Sequence, residues 1–206
     1  MFANDQPSYN ASFLSLEEVE ARIAHRCDPL DVTRVTAAYE TAKSVHEQQL
    51  RNDGTPYFYH ATRVVRILMD ELELFDADLL IAALLQDVLE DSTTITRTVL
   101  EYNFGSYVAY LVDTLTKDLE KAKQDPDGVD IAHADGLRVA SEDAMLIKLA
   151  SRLDNFRCLS FNVKRNPLVY IRNTFERYLP IADASTNALL HRLGDEIRKE
   201  SNKFLG

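Results

Sequence analysis

The sequence contains few of the residues that interrupt helices. Among its 206 residues there are only 6 Gly and 6 Pro, the residues that tight turns between short strands use most. This scarcity argues against a fold of many short strands and favours one built from helices. A chain of this length is long enough for one domain with a substantial core and short for two.

Cysteine pairs and long apolar runs are also missing. Cys27 and Cys158 stand far apart and outside any CxxC motif, so neither a disulfide framework nor a zinc knuckle is expected. No apolar stretch approaches the roughly 18 residues that cross a bilayer. The first residues, MFANDQPSYNASF, contain neither the basic nor the apolar segment of a signal peptide. We therefore predict a cytoplasmic protein with no membrane partner.

Positive charge is scarce. The chain has 23 Lys and Arg against 33 Asp and Glu, which gives a net charge of −10. A nucleic-acid-binding protein gains much of its affinity from Lys and Arg on phosphates, and this sequence has no basic run. Nucleic acid is therefore not expected as a partner. A small anionic ligand remains compatible with the sequence, provided that a few cations converge locally.

Helical periodicity runs through most of the chain. Ser15 and Glu18 form a capping box at the start of a short helix. Apolar residues recur at spacings of three and four in several further segments: 31–50, 60–72, 76–91, 141–160, 168–183 and 185–203. We predict an all-α fold, with residues 1–206 as a single domain. Residues 1–14 are expected to be flexible, and the polar segment 119–136, with Pro-Asp-Gly at 126–128, is expected to be an exposed excursion.

Three of the apolar segments contain polar residues that do not suit a core. The first is His60, at the start of a helix. The second and third are longer, and their polar members are Gln86, Asp87, Glu90 and Asp91, and then Lys148, Ser151, Arg152, Asp154 and Asn155.

The acidic group is the most unusual of the three. On a continuous helix, Asp87, Glu90 and Asp91 would share one face and repel each other, at the end where the helix dipole also disfavours negative charge. A metal ion or an arginine would offset this cost, and an imidazole with carboxylates from several helices commonly holds a divalent metal. In the alternative interpretation His60 caps its helix and the acids form a solvated surface. Spacing alone leaves both interpretations open.

Five segments, taken together, carry a specific resemblance. They are HEQQLRNDGTPYFYH (46–60), AALLQDVLEDS (82–92), FGSYVAYLVDTLTK (104–117), KLASRLDN (148–155) and NTFERYLPIA (173–182). In this order they resemble the motifs of the HD-domain hydrolases of guanosine polyphosphates, which comprise the small alarmone hydrolases and the N-terminal domain of long RelA/SpoT-type proteins. The resemblance covers roughly residues 40–182.

The resemblance implies a fold, a cofactor and a set of site residues. The fold is a single α-helical HD-domain bundle, and the cofactor is one divalent ion, usually Mn²⁺, that activates a water for the release of pyrophosphate from (p)ppGpp. By position, His60 and Asp87 match metal ligands, and Glu90 and Asp91 match the catalytic pair that orients and deprotonates the water. The positions that match substrate-binding or pocket-framing residues are Arg51, Asn155, Lys148, Arg152 and Lys117.

Half of the family's metal shell is replaced in this sequence. Gln86 stands at the position of a second His, and Ser151 at that of a second Asp. A Gln oxygen is a weak, neutral ligand and a Ser hydroxyl is a poorer one, so metal affinity should fall and the protein could work with no metal cofactor.

Three interpretations stay open. The protein binds a guanosine polyphosphate or a related nucleotide and has lost or weakened hydrolysis, which is the one we favour. Alternatively it remains a metal-dependent hydrolase, with Asp154 or a harder ion completing the shell. In the third it is a non-catalytic scaffold that contacts a partner, or a second copy of itself, through its amphipathic C-terminal helix.

Overall fold

The structure is a computed structural model that describes residues 8–162 and 164–205. Over these two ranges it is helical and contains no strand, apart from an isolated bridge between Leu50 and Pro56. The all-α prediction is therefore confirmed. None of the helices in these ranges is both long and apolar enough to cross a membrane.

The α-helices follow one another with short connections. In chain order they are α1 (Leu16–Ile23), α2 (Pro29–Val45), α3 (Phe58–Arg66), α4 (Ala77–Leu85), α5 (Val88–Asp91), α6 (Arg97–Phe104), α7 (Ser106–Leu115), α8 (Leu119–Ala122), α9 (Pro126–Arg138), α10 (Glu142–Arg157), α11 (Pro167–Arg177), α12 (Leu179–Ala184) and α13 (Ala188–Leu205). A π-helical turn, Ile67–Glu71, continues α3, and 3₁₀ turns lie at Tyr9–Ala11 and Leu159–Phe161.

Two central helices organise the core. Helix α4 packs against α2, α3, α7 and α10, and its residues are buried all round apart from Asp78, which explains why its sequence is apolar on every face. Helix α10 packs against α3, α4, α7 and α13. The polar residues at the end of α4 and along α10 therefore meet near the centre of the molecule.

Helix α13 does not offer a free apolar face. Its residues Leu190, Leu193 and Ile197 are buried, and the helix packs against α10, α11 and α12. The apolar stripe that was predicted as a contact surface for a partner or a second copy is therefore part of the core of this chain.

Most residues of the segment 119–136 are exposed, and the segment is helical instead of irregular. It contains α8 and most of α9, and α9 buries Ala134 and Leu137 against the core. Asp125 accepts a hydrogen bond from the backbone of Gly128 and Pro126 is the first residue of the helix. The Pro-Asp-Gly sequence therefore starts a helix here instead of forming a turn, because proline is favoured at a first helical position.

The flexibility expected for residues 1–14 stays a prediction, although part of this segment makes defined contacts. Residues 1–7 lie outside the described residues, but residues 8–14 pack against the protein. Leu14 is buried, and Arg63 donates hydrogen bonds to the carbonyl oxygens of Asn10 (2.8 Å) and Ser12 (3.0 Å). An arginine at an interior position of α3 thus holds the N-terminal segment in place.

Candidate functional site

A pocket of about 280 Å³ brings the three polar segments together. It lies between the loop that precedes α3, the start of α5, the end of α7 and one face of α10. Its lining consists of Leu50, Arg51, Asn52, Tyr57, His60, Asp87, Glu90, Lys117, Lys148, Ser151, Arg152, Asn155, Asn162, Arg165 and Tyr170. Most of the predicted site residues are in this group, whereas Gln86 and Asp91 are not.

The pocket is positively charged although the chain is acidic. Among its lining residues the cations are Arg51, Lys117, Lys148, Arg152 and Arg165, and the carboxylates are Asp87 and Glu90. The local excess of positive charge contrasts with the net charge of −10 for the whole chain. A concave surface of this kind concentrates anions from solution.

The chain breaks its helix at the acidic group. Helix α4 ends at Leu85, Asp87 is the residue before the single turn of α5, and Glu90 and Asp91 lie within that turn. The prediction that three carboxylates share one face of a continuous helix is therefore wrong. Glu90 and Asp91 instead lie at the end of the separate single turn of α5.

The break separates the two carboxylates that were predicted as a catalytic pair. Glu90 lines the pocket, whereas Asp91 turns away and its Oδ2 lies 3.6 Å from Nδ1 of His46. Burial is the main cause that raises the pKa of Asp91, and the nearby His46 opposes it. Of this pair, only Glu90 lines the pocket.

His60 is held from behind by Asp154. The imidazole is buried, and its Nδ1 lies 2.6 Å from Oδ2 of Asp154. Burial would raise the pKa of Asp154, but hydrogen bonds from His60 and the charge of Arg63 hold it well below its usual range. Asp154 is therefore ionised, and it accepts a hydrogen bond from the Nδ1–H group of a neutral His60. Burial, followed by the charge of Arg51, lowers the pKa of His60 and keeps it neutral.

Ser151 and Gln86, which stand where the family has metal ligands, lie against the pocket side of His60. Its Nε2 lies 3.1 Å from Oγ of Ser151 and 3.3 Å from Nε2 of Gln86. Because Nδ1 carries the proton, Nε2 has one lone pair to offer, and the Ser151 hydroxyl and the Gln86 amide compete as donors to it. A Gln86 side chain turned the other way would place its oxygen against this lone pair.

Asp87 is near His60 but is not bonded to it. Oδ2 of Asp87 lies 4.0 Å from Nε2 of His60, is buried, and finds no hydrogen-bond donor in the described part of the chain. Across residues 8–162 and 164–205 there is no cluster of three or more His, Cys, Asp or Glu side chains placed to hold a metal ion.

Asp154 does not complete a metal shell. Its Oδ1 accepts hydrogen bonds from Arg63 Nε (2.6 Å) and from the Tyr9 hydroxyl (3.0 Å). Its Oδ2 accepts from His60 and from Arg63 Nη2 (3.2 Å). With both oxygens bound to protein donors and the residue wholly buried, Asp154 orients His60 instead of facing the pocket.

Two ionisable groups in the pocket have displaced pKa values. Burial and the repulsion of Asp87 raise the pKa of Glu90 to about 7, although its Oε1 accepts a hydrogen bond from the Lys117 backbone (2.7 Å). Burial, with Lys117 and Arg152 nearby, lowers the pKa of Lys148 to about 7. Both groups therefore change charge near neutral pH.

Arg51 and Asn155 are in direct contact. Nη2 of Arg51 donates to Oδ1 of Asn155 over 2.7 Å, and the guanidinium lies 6.0 Å from the centre of the Tyr57 ring. These contacts fix a planar cation at the edge of the pocket, a geometry that suits stacking on a flat ring.

Arg152 is held rigidly by residues outside the predicted set. Its Nη1 donates to Oγ1 of Thr174 (2.7 Å), and its guanidinium lies 3.5 Å from the centre of the Tyr178 ring. Asp130 on α9 lies 3.6 Å from Nη2 of Arg152 and accepts a hydrogen bond from Lys117 (2.5 Å). Burial would raise the pKa of Asp130, but Lys117, Tyr178 and Arg152 together hold it well below its usual range.

The charged and aromatic residues that sequence reasoning missed at or behind this site include Tyr9, Arg63, Asp130, Arg165 and Tyr170. Arg63 had a signal, since it is a charged residue one turn after His60 in an apolar helix. Asp130 had none, because it is one of many acidic residues in a polar segment.

Comparisons with known proteins identify the family of the fold. Residues 38–185 match the family described as HD domain. A guanosine-3′,5′-bis(diphosphate) 3′-pyrophosphohydrolase of Vibrio cholerae is 39% identical over 176 residues, which are 82% of this chain and 23% of the relative. The pyrophosphohydrolase MESH1 of Danio rerio is 35% identical over 134 residues, 65% of this chain and 72% of the relative.

A solved structure is similar as well. It is described as a metazoan ortholog of SpoT that hydrolyzes ppGpp, and it superposes with a TM-score of 0.67 at 34% identity, covering 81% of this chain and 94% of that one. The chain spans about a quarter of the length of the long bacterial relatives.

Proposed function

The chain belongs to the HD-domain family, in the group of the (p)ppGpp hydrolases, and from this membership we propose that its pocket binds a guanosine polyphosphate such as (p)ppGpp, with metal-dependent hydrolysis lost or weakened. The observation that carries the proposal is the pocket itself. Five basic side chains line it in a chain of net charge −10, so positive charge is placed where a polyphosphate would bind.

The distribution of the cations suits a nucleotide. Lys148 and Arg152 lie on one face of α10, with Lys117 beside them. These charges can neutralise phosphate oxygens, for which Lys acts as a point charge and Arg as a planar donor. Arg51, held by Asn155 near Tyr57, is placed to stack on a purine ring.

The donor set does not fit a resident divalent ion of the kind that the family uses. His60 and Asp87 supply one imidazole and one carboxylate, and Ser151 and Gln86 compete as donors to the lone pair of His60 that faces the pocket. Replacing one imidazole and one carboxylate by neutral side chains removes charge and strong ligands. We therefore assign ligand binding to the cations of the protein and derive no step through a metal.

A second candidate function is a hydrolase with an altered metal shell that uses Mn²⁺. One observation favours it: Oδ2 of Asp87 is buried without a hydrogen-bond donor, 4.0 Å from Nε2 of His60, and a cation would satisfy it. Glu90 also remains in the pocket, where it could accept a proton from water.

Restoring the missing ligands separates the two functions. The wild type and Gln86→His/Ser151→Asp are compared for Mn²⁺ binding and for pyrophosphate release from ppGpp. We expect the double variant to bind Mn²⁺ and to release pyrophosphate, and the wild type to do neither at a comparable level, because a bound metal supplies the activated water. Wild-type turnover with Mn²⁺ at a rate near that of the variant would overturn the proposal in favour of the second candidate.

A further inference from the structure

The residues around His60 form an arrangement that does not need a metal. We propose that Ser151, His60 and Asp154 are a nucleophile–base–acid triad, and that Ser151 accepts a phosphoryl group from a phosphate ester or anhydride bound in the pocket. The inference rests on the proposed function only for the choice of an anionic substrate. The triad itself rests on geometry.

The hydrogen-bond chain is continuous from the hydroxyl to the carboxylate. Oγ of Ser151 lies 3.1 Å from Nε2 of His60, and Nδ1 of His60 lies 2.6 Å from Oδ2 of Asp154. A nucleophile, a base and a third group that orients the base are the three parts of such a triad, whatever their order in the chain. Here Ser151 and Asp154 are one turn apart on α10, and His60 reaches them from α3.

The carboxylate of Asp154, which orients His60, is itself held in place by several hydrogen bonds. Asp154 receives two hydrogen bonds from Arg63 and one from Tyr9, and Arg63 is anchored to the N-terminal segment in turn. These contacts hold the imidazole in one orientation and its proton on Nδ1. The lone pair on Nε2 is therefore within hydrogen-bond distance of the Ser151 hydroxyl (3.1 Å), although the Gln86 amide (3.3 Å) competes for it.

The nucleophile faces the pocket and its cations. Ser151 is part of the pocket lining, between Lys148 one turn earlier and Arg152 next to it. Positive charge that is already in place stabilises the negative charge that builds up on phosphoryl oxygens during transfer. An acyl group would not use so many cations, so a phosphoryl group is the better match.

The reaction balances without a further reactant. Oγ of Ser151 forms a bond to phosphorus while the bond from phosphorus to the leaving oxygen breaks. The hydroxyl proton passes to Nε2 of His60 and from there to the leaving oxygen. Water then attacks the phosphoserine, His60 takes its proton, and that proton returns to Oγ as orthophosphate leaves. The first product from a diphosphate would thus be a monophosphate ester, and the second orthophosphate, not pyrophosphate.

In the alternative interpretation, Ser151 only donates a hydrogen bond to Nε2 of His60 and does not act as a nucleophile. A fluorophosphonate reagent distinguishes the two, because it reacts with activated serines by the same attack on phosphorus, with fluoride as the leaving group. The whole chain is treated in EDTA, and the adduct is located by peptide mass spectrometry. The variants are Ser151→Ala and His60→Gln, with Ser44→Ala as the matched control, since Ser44 is exposed and outside the pocket.

The triad predicts an adduct on Ser151 in the wild type and in Ser44→Ala, none in Ser151→Ala, and a rate at least about 100-fold lower in His60→Gln. An adduct at another residue, or no adduct on the folded wild type, would overturn it. The wild-type result is decisive even if His60→Gln fails to fold.

A measurement of ppGpp binding to the same preparation distinguishes a failure of the triad from a failure of the proposed ligand. Retained binding with an unlabelled Ser151 would reject the triad alone. A labelled Ser151 in a protein that does not bind ppGpp would reject the proposed ligand and leave the triad standing.

Discussion

At the scale of single residues, His60 decides what the pocket can do. Asp154 fixes one of its nitrogens, and Ser151 and Gln86 occupy the other. The motifs of the sequence predicted that His60 faces the site, and the structure places it there. They did not predict Asp154 as its partner, because that contact joins residues 94 positions apart and depends on Arg63, which lies outside every quoted motif.

The buried pair of Arg63 and Asp154 predicts a large loss of stability. Both side chains are fully buried and 2.6 Å apart, so Arg63→Leu would leave the Asp154 carboxylate in the core without its neutralising cation. We expect the free energy of unfolding at pH 7 to fall by about 3–5 kcal/mol in urea titrations. Arg138→Leu, at an exposed position, is the control and should change it by less than about 0.5 kcal/mol.

The pH dependence of this loss has a definite sign. The pKa of Asp154 is depressed in the folded protein, so its contribution to stability is present above the unfolded pKa of about 3.9 and is lost as the pH falls through the folded value. The difference between wild type and Arg63→Leu should therefore shrink below about pH 4. An equal difference at pH 3 and pH 7 would contradict the assignment of charge.

At the scale of helices, the break between α4 and α5 shapes the acidic side of the site. A pattern of apolar residues that continues to Leu89 predicts one long helix, but helix α4 ends at Leu85 and helix α5 begins at Val88. Asp87 and Glu90 then face the pocket while Asp91 faces His46. Sequence periodicity could not predict this break, because no Gly or Pro marks it and tertiary contacts determine the direction of each carboxylate.

Helix α9 contributes a counter-anion to the cationic side. Asp130 accepts hydrogen bonds from Lys117 (2.5 Å) and Arg177 (2.8 Å) and lies 3.6 Å from Arg152. Two of these cations also line the pocket, so Asp130 competes with a bound anion for them. Its position follows from the helix that Pro126 starts, which the polar composition of the segment did not predict.

Removal of this charge should strengthen anion binding. Asp130→Asn keeps an acceptor oxygen for Lys117 but removes one negative charge near the pocket. We expect the affinity for ppGpp, measured by equilibrium dialysis, to rise about threefold to tenfold, while the melting temperature falls. Asp135→Asn, at an exposed position of the same helix, should change neither, and an unchanged or weaker affinity in Asp130→Asn would contradict the competition.

At the scale of the whole molecule, charge is divided between a negative surface and a positive pocket. Composition alone gives the net charge of −10, and the motifs bring several cations into the same region. The all-α fold follows from periodicity and from the scarcity of Gly and Pro. The sequence does not predict that Glu90 and Lys148 are buried, and this burial contributes most to moving both pKa values to about 7.

These two groups predict that nucleotide binding depends on pH. Between pH 8 and pH 6, Glu90 loses its negative charge by taking up a proton and Lys148 gains a positive one, so the pocket becomes more positive. The affinity for ppGpp should rise over this interval and should fall with added salt. Glu90→Gln should bind more tightly at pH 8 and show a smaller pH effect than the wild type, and an identical pH effect in the two proteins would contradict the displaced pKa of Glu90.

The most direct measurement of the central claim is a calorimetric titration of the wild type with ppGpp in EDTA, repeated with Mn²⁺ and with Arg51→Ala. Binding by the protein's own cations predicts the same micromolar-range affinity with and without metal, and an affinity at least about tenfold weaker in Arg51→Ala. Binding that appears only when Mn²⁺ is added, or that Arg51→Ala leaves unchanged, would contradict the account.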